Sequence, residues 1–120
     1  MANETQQLDQ KLNQQILAGD ILGAFDAYYA EDVVMQENGG APTVGKAANR
    51  TREEQFVGSI EQFHGAKLVG EAVNGDRSYS EWWMDITFKG GVRKVMEQVS
   101  VREWKAGKVA VERFYYDGGH

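Results

Sequence analysis

Residues Glu97–Asp117 read E-Q-V-S-V-R-E-W-K-A-G-K-V-A-V-E-R-F-Y-Y-D. Two runs rich in Val, Trp, Phe and Tyr flank Lys105-Ala106-Gly107, the pattern of a β-hairpin with a three-residue loop in which Gly107 takes the left-handed bulge position. That loop pairs Trp104 with Lys108 and sets Val101 opposite Val111, Ser100 opposite Glu112 and Val99 opposite Arg113. The two-residue strand period then places Met96, Gln98, Ser100, Arg102, Trp104, Ala110, Glu112, Phe114 and Tyr116 on one side. Glu97, Val99, Val101, Glu103, Val109, Val111, Arg113 and Tyr115 fall on the other. The rest of the chain is expected to curve around this hairpin, with a pocket on its concave side.

Upstream, the pattern alternates between helix and strand. Leu8, Leu12, Ile16 and Leu17 recur at helical spacing within Glu4–Gly19, with Asn3 as cap. Asp20 caps a second helix, Ile21–Ala30, with Ile21, Phe25 and Tyr28 or Tyr29 facing inward. A short strand, Val33–Glu37, leads into Asn38-Gly39-Gly40-Ala41-Pro42, which reads as an exposed, mobile turn. A third helix is expected over about residues 46–63, with Ala47, Phe56, Val57, Ile60 and Phe63 inward and Arg50, Arg52, Glu53 and Glu54 on a solvated face. Strands Ala66–Val73, Ser78–Lys89, Val92–Trp104 and Val109–Asp117 follow, and Trp82, Met84, Ile86 and Phe88 share the core face of the second. Helices covering one face of an antiparallel sheet make an α+β domain.

Composition narrows the function classes. The 120 residues suffice for one domain, 1–120, and a formal net charge of -5 argues against nucleic acid. With no cysteine and only two histidines, His64 and His120, neither a thiolate nor a zinc centre is expected. No metal or other cofactor is expected at all. The polar start M-A-N-E-T-Q-Q carries no secretion pattern and no apolar run reaches the length of a membrane span, so no membrane association is expected and the default compartment is the cytoplasm.

Several words in this order resemble the nuclear transport factor 2-like superfamily, and within it the SnoaL-like polyketide cyclase and ketosteroid isomerase branch. They are Ala18-Gly19-Asp20, Tyr28-Tyr29-Ala30-Glu31-Asp32-Val33, Val44-Gly45-Lys46-Ala47-Ala48, and Trp104 with Gly107-Lys108-Val109. The resemblance implies a cone-shaped, cystatin-like fold, in which three N-terminal helices pack on a strongly curved, mostly antiparallel sheet around a deep apolar pocket. It also implies a homodimer paired through the outer sheet face, here Val99, Val101, Val109 and Val111. The isomerase general base falls on Glu37. The isomerase tyrosine falls on Leu12, and the second carboxyl falls near Ser100, or Val99 if the register slips, so a steroid isomerase is not expected.

The residues themselves nominate a site. Glu37, Glu112 and Tyr116 are the catalytic candidates: a partly desolvated carboxylate moves protons near neutrality, and a tyrosine hydroxyl polarises a carbonyl. Tyr28, Trp82, Met84, Ile86, Gln98, Arg102, Trp104 and Phe114 are the binding candidates, suited to a small, flat, apolar molecule. Tyr28 and Gln98 are alternative donors to Tyr116. The plainer readings are an exposed Glu37 beside its turn and a structural Glu112–Arg102 pair. Two functions follow: cofactor-free proton transfer of the isomerase, cyclase or dehydratase kind on a small apolar carbonyl compound, or a non-catalytic binding or interaction module whose pocket is filled by aromatic rings.

Overall fold

The computed structural model describes residues 3–117; His120 and the Gly118-Gly119 pair lie outside them. Three helices, α1 (Glu4–Leu17), α2 (Ile21–Tyr28) and α3 (Lys46–Gly58), are interleaved with six strands: β1 (Tyr29–Glu37), β2 (Thr43–Val44), β3 (Ile60–Asn74), β4 (Arg77–Phe88), β5 (Val92–Lys105) and β6 (Lys108–Tyr116). The strands form one sheet in the order β2-β1-β6-β5-β4-β3. Every pairing is antiparallel except β1 with β6, so the strand after α2 inserts beside the chain's last strand. The β3–β4 register shifts at three places, between Ile60 and Gln62, Phe63 and Gly65, and Leu68 and Gly70, as it does at bulges. The fold is the α+β cone expected.

Local signals account for the helix ends. The Asn3 side chain accepts from the Gln6 N–H, and Asp20 from the Gly23 N–H. Helix α3 has no side-chain cap; it starts at Gly45, whose φ of 98° favours glycine, and Asn49 Nδ2 donates to the Gly45, Thr43 and Val33 carbonyls. One buried amide therefore ties the start of α3 to β1 and β2. Leu12, Ala24, Phe25, Tyr29, Val33, Met35, Trp104 and Val109 make the apolar core, where Phe25 and Tyr29 stack with ring centroids 4.7 Å apart.

Besides the second helix, which stops at Tyr28 so that Tyr29 enters the core from β1, three expectations change. First, the hairpin turn has two residues. Lys105 pairs with Lys108, and Ala106 and Gly107 carry φ of 51° and 77°, the left-handed pair that suits strand twist. The residue released appears as a bulge: Trp104 pairs with Val109, Glu103 with Val111, Arg102 with Glu112 and Ser100 with Phe114. Val109 is thereby turned inward beside Trp104 and is fully buried, so it does not belong to an outer face. Second, α3 ends at Gly58. Ser59 returns hydrogen bonds to the last turn, and Ile60 onward pairs with β4, leaving Phe63 exposed on a strand. Third, the Asn38 turn is exposed but tethered, because Asn38 N–H donates to the Phe114 carbonyl and its Oδ1 accepts from Tyr116 N–H.

A candidate active-site cavity between helix and sheet

A cavity of about 420 Å³ opens between the helices and the concave face of the sheet. Helix α1 contributes Leu12 and Ile16, α2 contributes Phe25, α3 contributes Asn49, Arg52, Glu53 and Phe56, and the strands contribute Trp82, Met84, Met96, Gln98, Ser100, Phe114 and Tyr116 among others. Strand alternation explains the sheet wall: Met96, Gln98, Ser100 and Arg102 are every second residue of β5. Phe56 meets Phe88 edge to face at 6.2 Å, joining α3 to β4 across one end.

The cavity floor is a buried ionic network. Arg102 Nε donates to Glu112 Oε2 at 2.7 Å, and its Nη1 donates to Asp9 Oδ1 at 2.8 Å and Asn13 Oδ1 at 2.7 Å. Tyr29 OH donates to Glu112 Oε1. Ser78 Oγ donates to Asp9 and accepts from Trp104 Nε1, while Asn13 Nδ2 faces Asp9, Glu71 and Ser80. Burial opposes the Arg102 charge, but the Glu112 and Asp9 carboxylates outweigh it and hold the guanidinium above its usual value. Burial, then the Glu112 charge, pushes the Tyr29 hydroxyl well above the usual phenol range, so it stays a donor.

The mouth has its own ion pair. Arg52 Nη2 lies 2.7 Å from Glu37 Oε2, and Tyr116 OH donates to Glu37 Oε1 at 3.2 Å. Both partners of the pair are about half exposed. Between mouth and floor stands Glu53. Burial first, then the negative charges of Glu112 and Glu37, push its carboxyl up to about 7, against the opposing pull of Arg52 and Arg50. No hydrogen bond or ion pair engages the Glu53 carboxyl among the described residues, nor the Gln98 carboxamide or the Ser100 hydroxyl, all of which line the cavity.

A family profile described as the SnoaL-like domain matches residues 4–116. The chain belongs to the SnoaL-like domain family. A protein provisionally described as a SnoaL-like polyketide cyclase [carbohydrate phosphatase], from Mesorhizobium loti, is 31% identical, with 92% of this chain and 97% of that one covered and a TM-score of 0.81. The fold also matches an epoxide hydrolase from M. tuberculosis (18% identity, 95% and 83% covered, TM-score 0.76). A third match is a ketosteroid isomerase-like fold protein from Catenulispora acidiphila (16% identity, 88% and 84% covered, TM-score 0.73). No curated protein matches the chain.

Of the residues nominated from sequence, Glu37, Glu112, Tyr116, Trp82, Met84, Gln98, Arg102 and Phe114 line the cavity of this SnoaL-like domain. Tyr28, Ile86 and Trp104 do not: Tyr28 packs on the core from the end of α2, Trp104 lies inside the core with its indole N–H on Ser78, and Ile86 is buried elsewhere. Leu12 and Ser100, where the isomerase tyrosine and second carboxyl would fall, both line it. His64 stands apart, its Nε2 2.7 Å from Thr87 Oγ1. Among the described residues, no group of three or more His, Asp and Glu side chains is arranged to hold a metal ion, and no helix is long and apolar enough to cross a membrane.

Of the α3 residues expected on a solvated face, Arg52 and Glu54 are exposed, whereas Glu53 is only partly exposed and lies on the cavity side. A signal was present: Asn49, Glu53 and Phe56 are spaced four and three residues apart, one helical face, and Phe56 was already expected inward. The Asp9–Asn13 pair left no comparable signal, because polar residues on a helix read as solvent-facing until a buried arginine is known to lie opposite.

Proposed function

We propose that this SnoaL-like protein binds a small, apolar carbonyl compound in the cavity and catalyses cofactor-free proton transfer on it, as an isomerase, cyclase or dehydratase does. The observation that carries this reading is the cavity itself: about 420 Å³, walled by aromatic and methionine side chains, with unengaged polar groups at a few points. Volumes of this order suit small ligands, with a few polar groups fixing orientation. Gln98 and Ser100 are the donors best placed to hold a carbonyl oxygen, since the Tyr116 hydroxyl is already given to Glu37. A pocket filled by its own aromatic rings would not leave such a volume, which weighs against a purely structural module.

The test is a thermal-shift panel of flat ketones of two fused rings beside hydrocarbons of the same outline. Binding at one hundred times Kd stabilises by about 2.7 kcal/mol, a readily measured rise in Tm. The ketones are expected to raise Tm more than the hydrocarbons, and Gln98→Leu to remove the difference. No shift with any member of the panel would end this reading.

The outer sheet face is proposed as the site of self-association. Val99 stands beside Tyr115 across the β5–β6 ladder, with Val95 further along the same face, all three exposed. Val101 and Val111 continue that face; Val109 does not.

A further inference from the structure

We propose that Glu53, and not Glu37 or Glu112, is the carboxyl that takes a proton from the ligand and returns it. The inference rests on the proton-transfer reading above and assigns its central residue.

Three carboxyl groups line the cavity, and their oxygens differ in what they already hold. Glu112 gives one oxygen to the Tyr29 hydroxyl and the other to Arg102 Nε, and the whole group is buried. Glu37 gives one oxygen to Arg52 and the other to the Tyr116 hydroxyl. A proton arriving on either carboxylate removes the negative charge that strengthens the hydrogen bonds it already accepts. Glu53 has both oxygens free of protein partners and lies on the cavity-facing side of α3, between Asn49 and Phe56. The Asn49 amide anchors that helix end on the carbonyls of Val33, Thr43 and Gly45, so the carboxyl is carried on a fixed support.

The charges around Glu53 suit a group that works in both directions. Glu37 and Tyr29 face it from β1, Glu112 and Tyr116 from β6 and Arg102 from β5, while Arg50, Arg52 and Glu54 share its helix. The two guanidiniums that line the cavity are already engaged, Arg102 by Glu112 and Asp9 and Arg52 by Glu37, and Arg50, the other arginine that acts on Glu53, pairs with Asp26 and Glu54. Burial and the remaining negative charge leave Glu53 half-protonated close to neutral pH, where a carboxyl both accepts and releases a proton readily.

The step balances without a co-reactant. The C–H bond next to the ligand carbonyl breaks, its proton goes to a Glu53 oxygen, the freed pair forms the C=C bond of the enolate, and the C=O π pair moves onto the carbonyl oxygen, held by the Gln98 carboxamide or the Ser100 hydroxyl. Return of that proton to carbon regenerates the carboxylate. The ligand class is therefore an enolisable ketone of low polarity.

The probe is 2-tetralone in D2O, with α-hydrogen exchange followed by proton NMR. Wild-type protein is expected to accelerate exchange, with a rate that rises through a midpoint near pH 7. Glu53→Gln is expected to lower the rate by roughly a hundredfold or more while 2-tetralone still raises Tm. Glu53→Asp is expected to recover part of the rate, and Glu37→Gln, which removes one of the negative charges that raise Glu53, to retain exchange with a lower pH midpoint. Exchange that survives Glu53→Gln but disappears in Glu37→Gln overturns the Glu53 assignment and leaves the proton-transfer reading standing. Wild-type protein that neither binds nor exchanges 2-tetralone overturns that reading and the Glu53 assignment with it. A 13C NMR titration of the Glu53 carboxyl with a midpoint below pH 5 overturns the assignment without reference to any ligand.

Discussion

Replacing Glu53 by Gln should stabilise this protein at alkaline pH and leave it unchanged in acid. Burial and the neighbouring carboxylates raise the Glu53 carboxyl from 4.5 to about 7 on folding. Below pH 4.5 the group is protonated whether the chain is folded or not, and a neutral Glu and a Gln are near equivalents. Between pH 4.5 and 7 the unfolded chain releases the proton and the folded chain keeps it, so wild-type stability falls as pH rises. Above pH 7 the loss is complete. At about 1.36 kcal/mol per pH unit, the full shift corresponds to roughly 3.4 kcal/mol. The side chain is only partly buried, and water in the cavity mouth screens its charge, so about 2 kcal/mol is the working figure. For a domain of this size that is a Tm difference of about 8 °C at pH 8, vanishing near pH 4. Thermal unfolding of both proteins from pH 4 to 9 measures it. If the two Tm curves run parallel from pH 5 to 8, Glu53 is not enclosed as described, and the electrostatic argument for its role fails.

Other consequences follow from the same structure. Arg102→Met leaves Glu112 and Asp9 without their buried counter-charge and should cost about 3–5 kcal/mol in urea unfolding at pH 7; a loss under 1 kcal/mol would mean the network is not buried as a unit. Asp20→Ala removes the acceptor for the Gly23 N–H and should cost about 1 kcal/mol, with no change in 2-tetralone binding. Arg52→Ala opens the ion pair at the mouth; both side chains are about half exposed, so stability should change little while the dissociation rate of a cavity ligand rises. Val99→Lys should shift the protein toward monomer in sedimentation, whereas a monomeric wild type would refute self-association through the β5–β6 face.

Much of the fold was legible because its determinants are local in the chain. Helical spacing around Leu8, Leu12 and Ile16, the Asp20 cap and the alternation of β4 and β5 each act over a few residues, and they placed the helices and the inner face of the last hairpin. The hairpin register was not legible at the turn. Lys105-Ala106-Gly107 admits a two- or a three-residue connection, and burial of Val109 beside Trp104 accompanies the two-residue form with its bulge. The site divided along the same line. Glu37 and Glu112 stood out as carboxyls on strands, but which oxygens they have left depends on Arg52, Tyr116, Tyr29 and Arg102, drawn from four separate elements.

By itself, the order of apolar and turn residues determined an α+β domain with helices covering one sheet face, since period and capping are properties of neighbouring residues; the cone shape was what the family resemblance implied. Tertiary structure alone decided the electrostatics: Asp9 from the first helix meets Arg102 from the fifth strand, and Glu53 is left between the mouth and the floor without a partner. The physical reason is that a carboxyl's affinity for its proton is set by the charges and the water it meets in space. Those neighbours come from distant parts of the chain, and no local pattern records them.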